Sequence, residues 1–275
     1  MGHRSALLHP DVTADTYSVR LIGLLATLTA LVSLGLAAEP RARAAQQDQF
    51  ATLEREAARA LSADTEAFAT RVALVERLRS AATRAPNANQ RGRLALLWLQ
   101  SLRSLLRSIP FRAEEQPPYR SWLAEHEMLA IYSDPAGEWL VAPDAIWTTH
   151  TAHKSAVSAD EIAWFAVVNG YPGECEGYVP CYANILNWLD GEYLRRHPNG
   201  RHASEAIRQI HESLAAALEN LVESQDLDFL NPATDCDDLK HGLEPLRQAV
   251  GAANSAGRKE AVAVIDQLLS PCSRG

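Results

Sequence analysis

Gly170-Tyr-Pro-Gly-Glu-Cys-Glu-Gly-Tyr-Val-Pro-Cys181 interrupts helix-like sequence on both of its sides. It holds two of the four cysteines, three glycines and two prolines. Upstream, Ser158-Ala-Asp-Glu161 has the form of a capping box, in which the serine caps the Glu161 N–H and the glutamate reaches back. Ile162, Trp164, Phe165 and Val168 continue a helix that Gly170 ends, with Pro172 just beyond. Downstream, Tyr182, Ile185, Leu186, Leu189 and Tyr193 recur at helical spacing as far as His197-Pro-Asn-Gly200. Ala203, Ile207, Ile210, Leu214, Leu218 and Leu221 form the return helix. The stretch therefore reads as a joint between helices, and the fold as mainly α, built of antiparallel helical hairpins.

The same pattern extends outward. Toward the C-terminus, an acidic loop over 226–238 leads to helices at Asp237–Val250 and Arg258–Leu269. Toward the N-terminus, Phe50, Leu53, Ala57, Leu61, Phe68, Val72, Val75 and Leu78 form one apolar stripe over 46–85. Residues 62–65 can break that stripe into two helices. Pro86-Asn-Ala-Asn89 marks a stop and a new start. Leu94, Leu97, Trp98, Leu102, Leu105 and Ile109 define the next helix, whose other side carries Arg91, Arg93, Arg103 and Arg107. A membrane-surface helix would look similar; arginine is this chain's general cation, so a core helix with a solvated basic face is the plainer reading. Between 119 and 147 the pattern is least regular. A short helix near Tyr119, a small β-hairpin near 129–141 around the Ser133-Asp-Pro-Ala-Gly137 turn, and a helical turn at 143–147 are expected.

Leu21 to Ala38 carries no charge, follows Arg20, and is followed by small-x-small sites at 35–37 and 42–44. That is the pattern of a secretory signal peptide, with cleavage near residue 44. The run is also just long enough to span a bilayer, so residues 1–44 are a signal peptide or an N-terminal membrane anchor. The expected organisation is 1–44 as that leader, 45–113 as an N-terminal helical segment and 119–275 as a C-terminal helical domain. The expected location is periplasmic or secreted; the alternative is anchorage in the inner membrane by residues 21–38, the sole membrane contact foreseen.

An exported chain with four cysteines reads as two disulfides. Three connectivities are open. Cys175–Cys181 with Cys236–Cys272 is favoured: the first pair closes a short Gly/Pro loop and the second clasps the ends of a helical hairpin. Loop-closure entropy gives about 2 kcal/mol for the first and about 4 kcal/mol for the second. The C-terminal half is thus expected to be disulfide-stapled.

Net charge is −8 over 275 residues. This argues against a nucleic-acid ligand, because binding a phosphate backbone needs a basic face. Glu174 and Glu176 can converge on a cation or amine in a tight loop; the plainer reading is two solvated acids on a stapled turn. His150-Thr-Ala-His153 puts two imidazoles on one helical face, a partial zinc set that needs further ligands from nearby acids such as Asp144 and Asp160. Asp226, Asp228, Asp235, Asp237 and Asp238 are oxygen-rich but lack the glycine and final glutamate of an EF-hand loop. His197, His202 and His211 surround one helical joint. Trp139 and Trp147 are candidates to line a groove. No nucleophile elbow or phosphate-binding loop motif occurs, no H-E-x-x-H occurs, and no cofactor is expected.

Tyr193-Leu-Arg-Arg-His-Pro-Asn-Gly-Arg-His-Ala-Ser-Glu-Ala206 has an aromatic, basic residues, a proline turn and spaced small alanines. Over 182–222 it resembles one hairpin of the tetratricopeptide-like proteins of the bacterial envelope, with Ala203 and Ala206 at the small packing positions. The neighbouring helices do not follow a 34-residue period. The resemblance implies binding of another envelope protein. The expected function is a non-enzymatic exported interaction or scaffold module; the alternative is a metal-binding protein or metal-dependent hydrolase using His150 and His153.

Overall fold

The computed structural model describes residues 47–62, 67–170, 173–224, 229–231 and 233–273. The leader with its 21–38 run lies outside them, as do Asp226 and Asp228. Contacts divide the chain into two compact units, Met1–Leu53 and Glu54–Gly275. In the first, residues 47–53 are helical. In the second, helix α1 (54–62) is followed by α2 (Phe68–Arg84), α3 (Ala88–Arg107) and α4 (Tyr119–Glu125). Strands β1 (Ala130–Ser133) and β2 (Glu138–Val141) come next, then α5 (Pro143–Ala152), α6 (Ala159–Asn169) and α7 (Val179–Leu186). A π-helical turn, Asn187–Gly191, leads into α8 (Glu192–Arg196). Helices α9 (Ala203–Ser224), α10 (Cys236–Ala252) and α11 (Arg258–Leu269) complete the unit, with a 3-10 turn at Ser270–Ser273. The fold is mainly α, with one small antiparallel hairpin and a disulfide-stapled C-terminal half. Among the described residues no helix is long and apolar enough to cross a membrane.

Local chemistry sets several of these boundaries. Ala85 precedes Pro86 and is extended (ψ 141°), as the proline ring requires, and α2 stops there. Asn87 Oδ1 accepts the Gln90 N–H at 2.8 Å and opens α3. In the hairpin Ala130 pairs with Val141 and Ser133 with Glu138, and Gly137 supplies the positive φ (64°) of the turn.

The core is arranged around α3, which packs on α2, on β2 and on α6. Within the unit Glu54–Gly275, α3 thus touches α2 before it and the hairpin and α6 after it. Leu94, Leu99, Leu102, Leu105 and Leu106 are fully buried, each contributing about 2 kcal/mol of transfer free energy. A second layer is formed by α7, α9, α10 and α11.

One expected motif does not form. Ser158 precedes α6, but its side chain makes no cap, and its Oγ is buried without a partner. Its ψ of 2° is not the extended value that aims a hydroxyl at the first turn. The Oγ instead lies against Gly92 of α3, 2.6 Å from where a Cβ there would sit. Glu161, the other half of the box, turns to His202 and Arg201.

Candidate functional site

The α8–α9 turn, His197-Pro-Asn-Gly-Arg-His202, docks on the start of α6 and the end of α5. Tyr193, fully buried, donates its hydroxyl to Asp160 Oδ1 at 2.6 Å and accepts the His202 N–H at 3.0 Å. Asp160 Oδ2 accepts the Arg201 N–H at 2.8 Å. Gly200 makes this possible: a Cβ there would lie 2.3 Å from the Tyr193 hydroxyl. Burial and the Asp160 bond both raise the Tyr193 pKa. His202 stacks flat on Trp164 at 4.6 Å, and its Nε2 meets Glu161 Oε2 at 3.1 Å.

Beside this lies a histidine pair. His150 is buried, and its Nε2 is 2.8 Å from His197 Nε2. Arg196 Nη1 lies 3.0 Å from His150 Nδ1. A guanidinium only donates, so His150 Nδ1 must accept. His150 then carries its proton on Nε2 and donates to His197 Nε2, which leaves the His197 proton on Nδ1. Arg196 is held in turn by Glu192 at 2.6 Å and lies 5.0 Å above the Trp147 ring. Burial first, then the Arg196 charge, pushes the His150 pKa down to about 4. Burial also lowers the His197 and His153 pKa values. The imidazoles are therefore neutral at neutral pH, as the assigned tautomers require.

The residues singled out from sequence separate into different places. His150 faces His197 and not His153, which sits at the C-cap of α5 outside the helical dihedrals (φ −119°, ψ 20°). Among the described residues no group of three His, Cys, Asp or Glu side chains could hold a metal ion. Trp147 belongs to the histidine pair, whereas Trp139 lies on β2 against Tyr132 at 5.3 Å. Glu174 and Glu176 are exposed on either side of buried Cys175. The disulfides are Cys175–Cys181 and Cys236–Cys272, and no cysteine is free. Phe229 covers the knot at Gly177, and its carbonyl accepts the Val179 N–H at 2.9 Å. The acids Asp235, Asp237 and Asp238 occupy the start of α10, where the helix dipole favours them.

The sequence placed Asp160 near His150 and His153 as a possible metal ligand, but it did not pair Asp160 with Tyr193 or Glu192 with the histidine pair. Asp160 lies 33 residues from Tyr193 and 41 from Arg201, and local spacing carries no sign of such pairing. The compressed turn at 197–200 was the one available signal.

Adjoining the cluster, a groove of about 520 Å³ runs between the start of α3 and the α6 N-terminus. Leu96 and the 73 % exposed Val157 supply apolar surface; Arg93, Glu161 and Arg201 supply charge. Compared with known protein families, curated proteins and solved structures, the chain matches none of them.

Proposed function

We propose that this chain is an exported, non-enzymatic interaction module that presents its helical hairpins to another envelope protein. One observation carries the reading. The residues with the most reactive chemistry are consumed in holding the α8–α9 joint: both nitrogens of His150, both oxygens of Asp160 and the Tyr193 hydroxyl are engaged inside the protein. Catalytic acids and nucleophiles need a face turned to substrate. The two disulfides and the uncharged 21–38 run support export. The proposed contact is the groove beside the joint, with Val157 as its exposed apolar anchor and the Glu161–Arg201 pair as its charged rim.

A photo-crosslinking residue at Val157 of the full chain, expressed in its own envelope, tests this. The expected result is one discrete adduct at Val157, absent when the probe is at the equally exposed Val222 and lost with Arg201→Glu. Identical adducts at both positions would refute the assignment. So would a stoichiometric metal that survives dialysis and disappears in His150→Ala.

A further inference from the structure

Helices α2, α3 and α6 bound a cleft of about 590 Å³ that plays no part in the joint. Its walls carry three arginines. Arg71, from α2, is buried, and its Nη1 donates to Ser104 Oγ. Arg103 and Arg107 stand four residues apart on α3, on one face of the helix. Arg107 reaches outward to Glu138 at 3.2 Å. Arg103 is different. Its Nε is buried and makes no hydrogen bond, and no described carboxylate lies within ion-pair distance of it. Its guanidinium sits 5.9 Å from the Phe165 ring, and Phe165 and Val168 give the cleft an apolar side.

This arrangement is costly when empty. Like charges at i, i+4 repel on a helix, and a partly buried guanidinium with an unmade hydrogen bond loses hydration that nothing returns. Burial, and then the charge of Arg107, make Arg103 less willing to hold its proton. An anion beside the Nη groups would offset the repulsion between Arg103 and Arg107 and favour the charged guanidinium. The donors decide which anion. A carboxylate's two oxygens saturate one guanidinium fork. This cleft offers the Nη–H donors of Arg103, the inner side of Arg107, and the Ser104 hydroxyl, more than one carboxylate can accept. A phosphate group has oxygens enough for all of them.

We infer that the cleft between α2, α3 and α6 binds a phosphate group, gripped by Arg103 and Arg107, whose carrier lies along Phe165 and Val168. The carrier is either a soluble phosphoester or a phospholipid headgroup, and the two are separable by experiment.

Binding of inorganic phosphate to the full chain is measured by titration calorimetry against sodium chloride of equal ionic strength. Arg103→Met keeps the aliphatic stem over Phe165, Arg107→Gln is a second cleft variant, and Arg120→Met controls for loss of one exposed charge. Wild type and Arg120→Met should bind alike, and both cleft variants at least about tenfold more weakly, as loss of a charge-assisted contact requires. Ligand-free Arg103→Met should melt no lower than wild type, because it removes a partly buried charge that repels Arg107 and an Nε that makes no hydrogen bond; a purely structural arginine would melt lower. Sedimentation with phosphatidylglycerol vesicles but not phosphatidylcholine vesicles, lost in Arg103→Met, would assign the group to a lipid headgroup. Phosphate binding without that sedimentation would assign it to a soluble ester. All four proteins carry the same N-terminal segment, so its own membrane affinity cancels. Equal phosphate affinity in wild type and Arg103→Met, or no affinity in either with no vesicle effect, would overturn the inference.

Discussion

Asp190 is a buried carboxyl that the fold holds at a cost. It is 4 % exposed, its Oδ1 has no hydrogen-bond partner, and burial raises its pKa to about 7, with the Glu205 charge adding to the effect. Unfolding returns it to an ordinary carboxyl with a pKa of 3.8. Between those values the unfolded chain has lost a proton that the folded chain keeps, so stability falls as pH rises and levels off above about 7. His150 acts in the opposite direction. It stays neutral in the fold down to about pH 4 but takes up a proton on unfolding below 6.5, so its stabilisation is present above 6.5 and lost as pH falls toward 4. From about pH 4 to 6.5 the two slopes oppose each other. Asp190→Asn should therefore raise the urea midpoint at pH 8 and unmask a rise in stability between pH 4 and 6.5. A wild-type slope retained in the variant would show that Asp190 is not the group responsible. The sequence marked His150 only as half of a histidine pair, without a sign of its burial, and Asp190 was not marked at all. Asp190 sits in an unbroken helical run, and burial of a carboxylate depends on what packs over it.

At the scale of elements, α10 meets α7 at Gly242, where an added Cβ would lie 2.8 Å from the Ala183 carbonyl carbon and 2.9 Å from the Asn184 nitrogen. Both obstacles are backbone, so neither can rotate aside. Gly242→Ala gains about 1 kcal/mol of helix propensity but should still destabilise by about 1–3 kcal/mol through overpacking, read from urea unfolding. A more stable variant would mean that the two helices can separate freely. Element positions were well marked in the sequence: the 3.6-residue stripes of α2, α3 and α9 and the turn signals around Ser133–Gly137 leave little choice. The failures came where a long-range contact outbid a local one. Ser158 gives up its cap to approach Gly92, and Glu161 reaches across to the α9 start. The helix expected to run unbroken from Tyr182 to Tyr193 holds a π turn at Asn187–Gly191.

Across the whole molecule, the two disulfides have unequal tasks. Cys175–Cys181 closes a loop of sequence separation 6, Cys236–Cys272 one of 36. The second ties the first turn of α10 to the 3-10 turn after α11, so it holds the terminal hairpin shut. Chain entropy assigns it about 4 kcal/mol against about 2 for the knot. The double variant Cys236→Ala/Cys272→Ala should accordingly lose more stability in chemical denaturation than Cys175→Ala/Cys181→Ala. The reverse order would place the stability of the C-terminal half in the knot. Both pairings were readable from loop lengths alone. The joint network was not, because Asp160 and Tyr193 meet only after the chain has passed through the knot and back.

The π turn bears on that meeting. A π turn admits one residue more than the regular helix needs, and each residue of an α-helix advances the side chains by about 100°. Helix α8 is therefore out of phase with α7. Helices α7 and α8 both pack on α10, and α8 also presents Tyr193 to Asp160 and Arg196 to His150. Asp190 lies in the splice between α7 and α8, so a buried carboxyl stands where the helix shifts its phase to reach Asp160 and His150 while still resting on α10.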